Sequence, residues 1–196
     1  MKLLLATSNP GKLLEYRALA AGGRQELEQL PRFASLPPFD EAAPTFAENA
    51  AGKALHYSRL AELPVLADDS GLVVPALDGA PGVHSARYAG AGATDADRIQ
   101  ALLAGLSEKE VYDRGARFVC VIAVAHAGRA LGVVSDAVEG TLLDAPRGSG
   151  GFGYDPLFHY GPLGKTFAEL PREQKNRISH RGKAFSRMLQ FLETLE

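Results

Sequence analysis

Three groups of side chains in this sequence have the types and spacing needed for chemistry on phosphate. The first is Thr7-Ser8-Asn9-Pro10-Gly11-Lys12, which follows three leucines and precedes a helical pattern. Asn9 then Pro10 fits a helix N-cap with a first-turn proline. Helix-start N–H groups, two hydroxyls, a small glycine and an ammonium then gather at one junction, which makes an anion cradle. A well-capped turn whose lysine faces water has the same composition. No GxxxxGK followed by Ser or Thr occurs, which disfavours a P-loop kinase or ATPase.

The second group is Asp68 and Asp69, followed by Ser70 and Gly71 between two apolar runs. Neighbours in a strand point to opposite faces, so one acid anchors the chain while the other faces a cleft. The alternative is a turn whose acids cap backbone N–H groups. Asp40 and Glu41 add carboxylates on an extended segment, and such hard oxygens suit Mg²⁺ used together with substrate phosphates. Four carboxylates brought together repel one another without a cation. The third group is split. "GGFGYDP" has too many glycines for a strand interior. Phe152 and Tyr154 there offer an aromatic face for a planar base, with Asp155 to accept a ring N–H; Phe152 as a core plug is the alternative. "KNRISHRGKA" sets Lys175, Arg177, His180, Arg181 and Lys183 within nine residues, either a solvated basic surface or a clamp on phosphate or a base edge.

The elements that must position these groups follow from periodicity. Leu3–Leu5 reads as a buried strand, and Leu13, Leu14, Arg17 and Ala18 begin a helix. The proline-rich stretch from 31 to 45 reads as an extended connection. Thr45 with Glu48 then makes a capping box. The helix it opens has a small-residue face for packing, while Asn49, Lys53 and His56 share the opposing side, which can reach a ligand. Thr94 with Asp97 opens another helix over Ile99 to Leu106. "RFVCVIAVAH" and "RALGVVSDAVEGTLL" are strands joined by a hairpin turn at "AGR", the first covered on both faces. A final helix, with Ser179 as N-cap, carries Phe185, Met188, Leu189, Leu192 and Leu195 on one side. Strands alternating with helices around a central hairpin predict a mixed-sheet α/β protein.

Composition narrows the classes. At 196 residues and 46% hydrophobic the chain can bury a substantial core, and one domain over 1–196, in two lobes, is expected. Twenty-one basic and 23 acidic residues, for a formal net charge of -2, argue against a nucleic-acid coat protein. Cys120 is the only cysteine, which rules out an intramolecular disulfide and a CxxC redox pair, and its apolar setting predicts burial. No apolar run approaches the ~18 residues of a membrane span. A cytoplasmic protein with no membrane partner is expected.

Six blocks in order, "ATSNPGK", "TFAENA", "ADDSGL", "GAPGVHSARY", "GGFGYDPLF" and "ISHRGKA", closely resemble the inosine triphosphate pyrophosphatase family, bacterial branch, over nearly the full length. The resemblance implies Mg²⁺-dependent hydrolysis of non-standard purine triphosphates (ITP, dITP, XTP) to the monophosphate and pyrophosphate. It also implies a homodimer of elongated subunits, each with a highly twisted mixed sheet and a central cleft. Carried onto this chain, Thr7, Ser8, Asn9, Pro10, Gly11 and Lys12 hold phosphates with Lys53. Asp69 deprotonates water. Glu41 and Asp69 ligand the cation, with Asp68 or Asp40 in support. Ser70 contacts substrate, Phe152, Gly153, Tyr154 and Asp155 flank the base, and Lys175, His180 and Arg181 complete the pocket.

Overall fold

The computed structural model describes residues 1–108 and 112–195. Its elements run β1 (Lys2–Leu5), α1 (Pro10–Ala20), β2 (Glu26–Gln29), α2 (Phe46–Ser58), β3 (Val65–Val73), α3 (Asp95–Glu108), β4 (Gly115–His126), β5 (Arg129–Leu142), β6 (Phe158–Tyr160), β7 (Lys165–Thr166), α4 (Arg172–Ile178) and α5 (His180–Glu193). The seven strands form one sheet in the order β2-β1-β3-β4-β5-β6-β7. β1 pairs in parallel with both β2 and β3, whereas β6 pairs antiparallel with β5 and with β7. This is the mixed α/β sheet expected from the alternation of patterns.

The caps form as the sequence predicts. The Asn9 side chain accepts a hydrogen bond from the Lys12 amide at 3.1 Å, so α1 starts at Pro10. Thr45 Oγ1 accepts from the Glu48 amide and donates to the Glu48 carboxylate, fixing the start of α2. The Asp97 amide donates to Thr94 Oγ1, fixing the start of α3. β4 and β5 are joined by Ala127 and Gly128, both with positive φ (49° and 76°), the signature of a tight hairpin turn. Residues 120–125 of β4 are all buried, which explains their unbroken apolar character: a strand covered on both faces has no side for polar residues. "PVLADDSGLVV", by contrast, holds a single strand, with both acids inside β3 rather than in a turn.

The chain forms two compact units. Unit 1 comprises Met1–Asp69, Cys120–Asp136 and His180–Glu196; unit 2 comprises Ser70–Val119 and Ala137–Ser179. The core of unit 1 packs Leu3, Leu5 and Leu66 with Ile122 and Val124 of β4 and with Phe185, Met188 and Leu192 of α5. Leu195, expected on the same stripe, lies beyond α5 and is exposed. The core of unit 2 joins Leu72, Ile99, Leu102 and Leu106 to an aromatic group in which Phe118 lies 4.6 Å from Phe158 and 5.9 Å from Phe167, centroid to centroid. Among the described residues no helix is long and apolar enough to cross a membrane.

Candidate active site

Unit 1 gathers the charged groups. Alternation along β3 sends Asp68 and Asp69 to opposite faces, and each finds different company. Asp68 is fully buried. Its Oδ2 receives the Lys12 ammonium at 2.9 Å and lies 3.6 Å from Nε of Arg181, whose Nη1 bonds Glu15 at 2.5 Å. Asp69 is 6% exposed, and its Oδ2 accepts from the carboxamide of Asn49 at 3.0 Å. Lys53, one turn along α2 from Asn49, donates to the Asp68 carbonyl at 2.7 Å and to Glu41 at 2.5 Å. Glu41 is thereby held by the lysine predicted to meet phosphate, while Asp40 is exposed.

Glu41 arrives on a strap, residues 37–43, fastened along α2. The Phe39 amide donates to the Tyr57 hydroxyl, the His56 ring meets the Pro37 carbonyl at 3.1 Å, and the Asn49 carboxamide bonds both the amide and the carbonyl of Ala43. Gly52 lets Phe39 lie against the helix, since a Cβ there would sit 2.6 Å from the ring. At the α1 junction Thr7 is buried, with Oγ1 accepting from the Asn9 amide, whereas Ser8 and Pro10 are exposed and Gly11 is half-buried.

Unit 2 holds the glycine-rich loop. Asp155 is 2% exposed and its Oδ2 accepts from Lys175 Nζ and, at 2.8 Å, from the Phe152 amide; the Lys175 ammonium also lies 5.1 Å from the Phe152 ring centroid. Gly153 donates to Asp95 at the start of α3 at 2.7 Å. Tyr154 is a core residue, with its hydroxyl bonded to the Ser85 carbonyl at 2.9 Å, so the half-buried ring of Phe152 carries the aromatic face of this loop. Ser70 is half-buried and follows Asp69 directly in β3. His180 and Arg181 are buried at the start of α5 in unit 1, where Arg181 joins the Asp68 cluster.

The model of the Ham1 family matches residues 3–191 of this sequence. The chain belongs to the Ham1 family. Curated relatives named dITP/XTP pyrophosphatase include one from Geobacillus kaustophilus, 50% identical over 187 residues, spanning 95% of this chain and 92% of its own. Another, from Thermus thermophilus, is 48% identical over 190 residues, spanning 97% and 91%. Among solved structures, a HAM1 protein from Coxiella burnetii superposes with a TM-score of 0.89 at 41% identity over 99% of both chains. The Staphylococcus aureus Ham1 protein does so with 0.87 at 36% over the whole of both. The six motif blocks foretold this membership.

Electrostatics in the Ham1 chain separate the two acids. Burial works to raise the Asp68 carboxyl, but Lys12, Arg181 and Lys53 outweigh it and hold it down at about 2, so Asp68 is a fixed anion. Burial raises the Asp69 carboxyl from its ordinary value, with Lys12 and the Asn49 hydrogen bond acting the other way. Burial likewise works against the Lys53 charge, yet Asp68 and Glu41 prevail and its pKa is raised. Cys120, buried with Sγ 4.0 Å from Asp68, is pushed up to about 12 by burial and by that anion, which keeps it an unreactive thiol. Among the described residues no three His, Cys, Asp or Glu side chains gather as a metal cluster. Glu41 and Asp69 are hard oxygen donors, and two such carboxylates fit a Mg²⁺ that arrives with water and phosphate ligands of its own. Glu15 is a member of these networks that residue-type reasoning did not place at the site, whereas Asn49 lies on the side of α2 read as able to reach a ligand, with no role of its own assigned there. An acid interrupting the apolar pattern of α1 was the available signal for Glu15.

Proposed function

We propose that this Ham1-family chain hydrolyses purine nucleoside triphosphates carrying hypoxanthine or xanthine, releasing the monophosphate and pyrophosphate. The observation that carries this reading is the split of adjacent acids in β3: a fully buried Asp68 that holds Lys12 at 2.9 Å, and beside it, on the other face, an Asp69 carboxylate with one oxygen fixed by Asn49 and suited to accepting a proton. The names of the relatives supply the substrate class. Asp69 orients a water and takes its proton as the oxygen attacks the α-phosphorus. The bond to the α,β-bridging oxygen breaks, and pyrophosphate leaves with that electron pair. Lys12, Lys53 and the start of α1 stabilise the negative charge that develops on the phosphate oxygens. Glu41 and Asp69 are the residues that would hold Mg²⁺, which supplies charge neutralisation along the triphosphate when bound. Phe152 offers its ring to the base, Lys175 and Asp155 hold that loop in shape, and Ser70 contacts the nucleotide. His180 completes the pocket, and Arg181 acts from behind Asp68. A homodimer, implied by the resemblance, is checked by sedimentation.

The test is a panel of ITP, dITP, XTP, ATP, GTP and dUTP with Mg²⁺ or with chelator, resolving monophosphate plus pyrophosphate from diphosphate plus orthophosphate. Expected is pyrophosphate release from the first three, lost with chelator. Orthophosphate as the primary product, or ATP turned over as fast as ITP, overturns the reading. In the same assay Asp69→Asn, which cannot accept the proton, is expected to keep the fold while kcat falls by about 10²–10⁴.

A further inference from the structure

The carboxamide of Asn49 is fully buried and every hydrogen bond it makes goes to something that bears a proposed catalytic group. Its Oδ1 accepts from the Ala43 amide at 3.0 Å, while Nδ2 donates to the Ala43 carbonyl at 3.2 Å and to Asp69 Oδ2 at 3.0 Å. The paired bonds to Ala43 imitate a strand partner and hold the strap two residues beyond Glu41. The third bond fixes one oxygen of the Asp69 carboxylate. The backbone amide of Asn49 is already engaged by Thr45 O within α2, so the side chain is not needed to continue the helix. We propose that Asn49 is a positioning residue for hydrolysis: one amide sets the orientation of Asp69 and the location of the Glu41 strap together.

The chemistry explains why an amide suits this place. A single planar group must accept from one backbone amide and donate twice, once to a carbonyl and once to a carboxylate; Asp lacks the donors, and Leu lacks all three bonds. Misplacement of a reacting group by about 1 Å can cost on the order of 10²-fold in rate without a matching loss of binding. Loss of Asn49 should therefore appear in kcat.

The proposal rests on the reading of Asp69 as the base, and the experiment separates the two. Asn49→Asp and Asn49→Leu are assayed with ITP and Mg²⁺, melting curves are recorded, and exchange of the Ala43 amide and of the Asn49 carboxamide protons is followed by NMR. Expected for Asn49→Asp is a kcat about 10²-fold lower with KM within threefold of wild type and the Ala43 amide still protected, since its acceptor remains. Expected for Asn49→Leu is a similar kcat loss with the Ala43 amide exchanging at least tenfold faster. If either variant is poorly folded, the wild-type chain and Asp69→Ala carry the test. The Asn49 carboxamide protons should exchange slowly in wild type and at least tenfold faster once the carboxylate is gone. Three results overturn the proposal: kcat of Asn49→Asp within threefold of wild type, kcat losses no larger than the loss of folded protein, or unprotected carboxamide protons in wild type. Retained turnover in Asp69→Asn sinks the parent reading instead.

Discussion

At the residue scale, the central feature is a buried carboxylate surrounded by cations. Asp68 has no exposed surface, and Lys12, Arg181 and Lys53 hold its folded pKa at about 2 against an ordinary value of 3.8. A folded pKa below the unfolded one stabilises the native state in full above about pH 4, and that contribution disappears as pH falls through about 2. At roughly 1.4 kcal/mol per unit the contribution is on the order of 2 kcal/mol. Urea denaturation of wild type and Asp68→Asn between pH 5 and pH 2 should show the wild type losing about this much more than the variant; parallel curves would contradict the assignment. The sequence made the separation of Asp68 from Asp69 legible, because strand alternation is local. It could not disclose that Arg181 belongs with Glu15, since the two are 166 positions apart and only folding brings them together. Tyr154 illustrates the same limit: its glycine-rich surroundings suggest a surface aromatic, and its burial depends on Ser85, 69 positions away.

At the scale of elements, the strongest signals were those with a mechanism confined to a few residues. The Asn9, Thr45 and Thr94 caps and the β4–β5 hairpin all form where their residues predict. The missed elements share a different character. β2 is the polar run Glu26–Gln29 at the edge of the sheet, half-exposed and with no apolar pattern to reveal it; its place comes from backbone pairing with β1. β6 and β7 are three and two residues long, too short for any period to register. The hairpin also carries a correctable cost. Ala127 has φ 49°, in the left-handed region that disfavours a β-carbon, and Asn tolerates that region better while leading the Asn-Gly pair that such turns prefer. Ala127→Asn is expected to stabilise the chain by about 0.5–1 kcal/mol in urea denaturation with pyrophosphatase activity unchanged. A midpoint at or below wild type would show that the turn gains nothing from the exchange.

At the scale of the whole molecule, the two cores share no residue among those described, although the chain passes from one unit to the other four times. Substitutions in different cores should therefore contribute independently. Ile99→Val in unit 2 and Ile122→Val in unit 1 should each cost about 0.5–1.5 kcal/mol, and the double variant should cost their sum to within about 0.5 kcal/mol. A larger coupling energy in the double-mutant cycle would mean that the cores respond as one. None of this interleaving was legible beforehand, because a hydrophobic pattern says that a segment is buried without saying against what.

The four crossings also give protein synthesis an order of events. Glu15 and Asp68 leave the ribosome early, but the guanidinium that both require lies on α5, together with Phe185, Met188 and Leu192 of the unit 1 core. A nascent chain that stops at Ser179 already contains the β1–α1 junction, the strap and both acids of β3, yet the carboxylates of Glu15 and Asp68 lack Arg181 and the unit 1 core lacks one wall. A chain that stops short of α5 is therefore expected to leave the unit 1 core open and the carboxylates of Glu15 and Asp68 without their guanidinium.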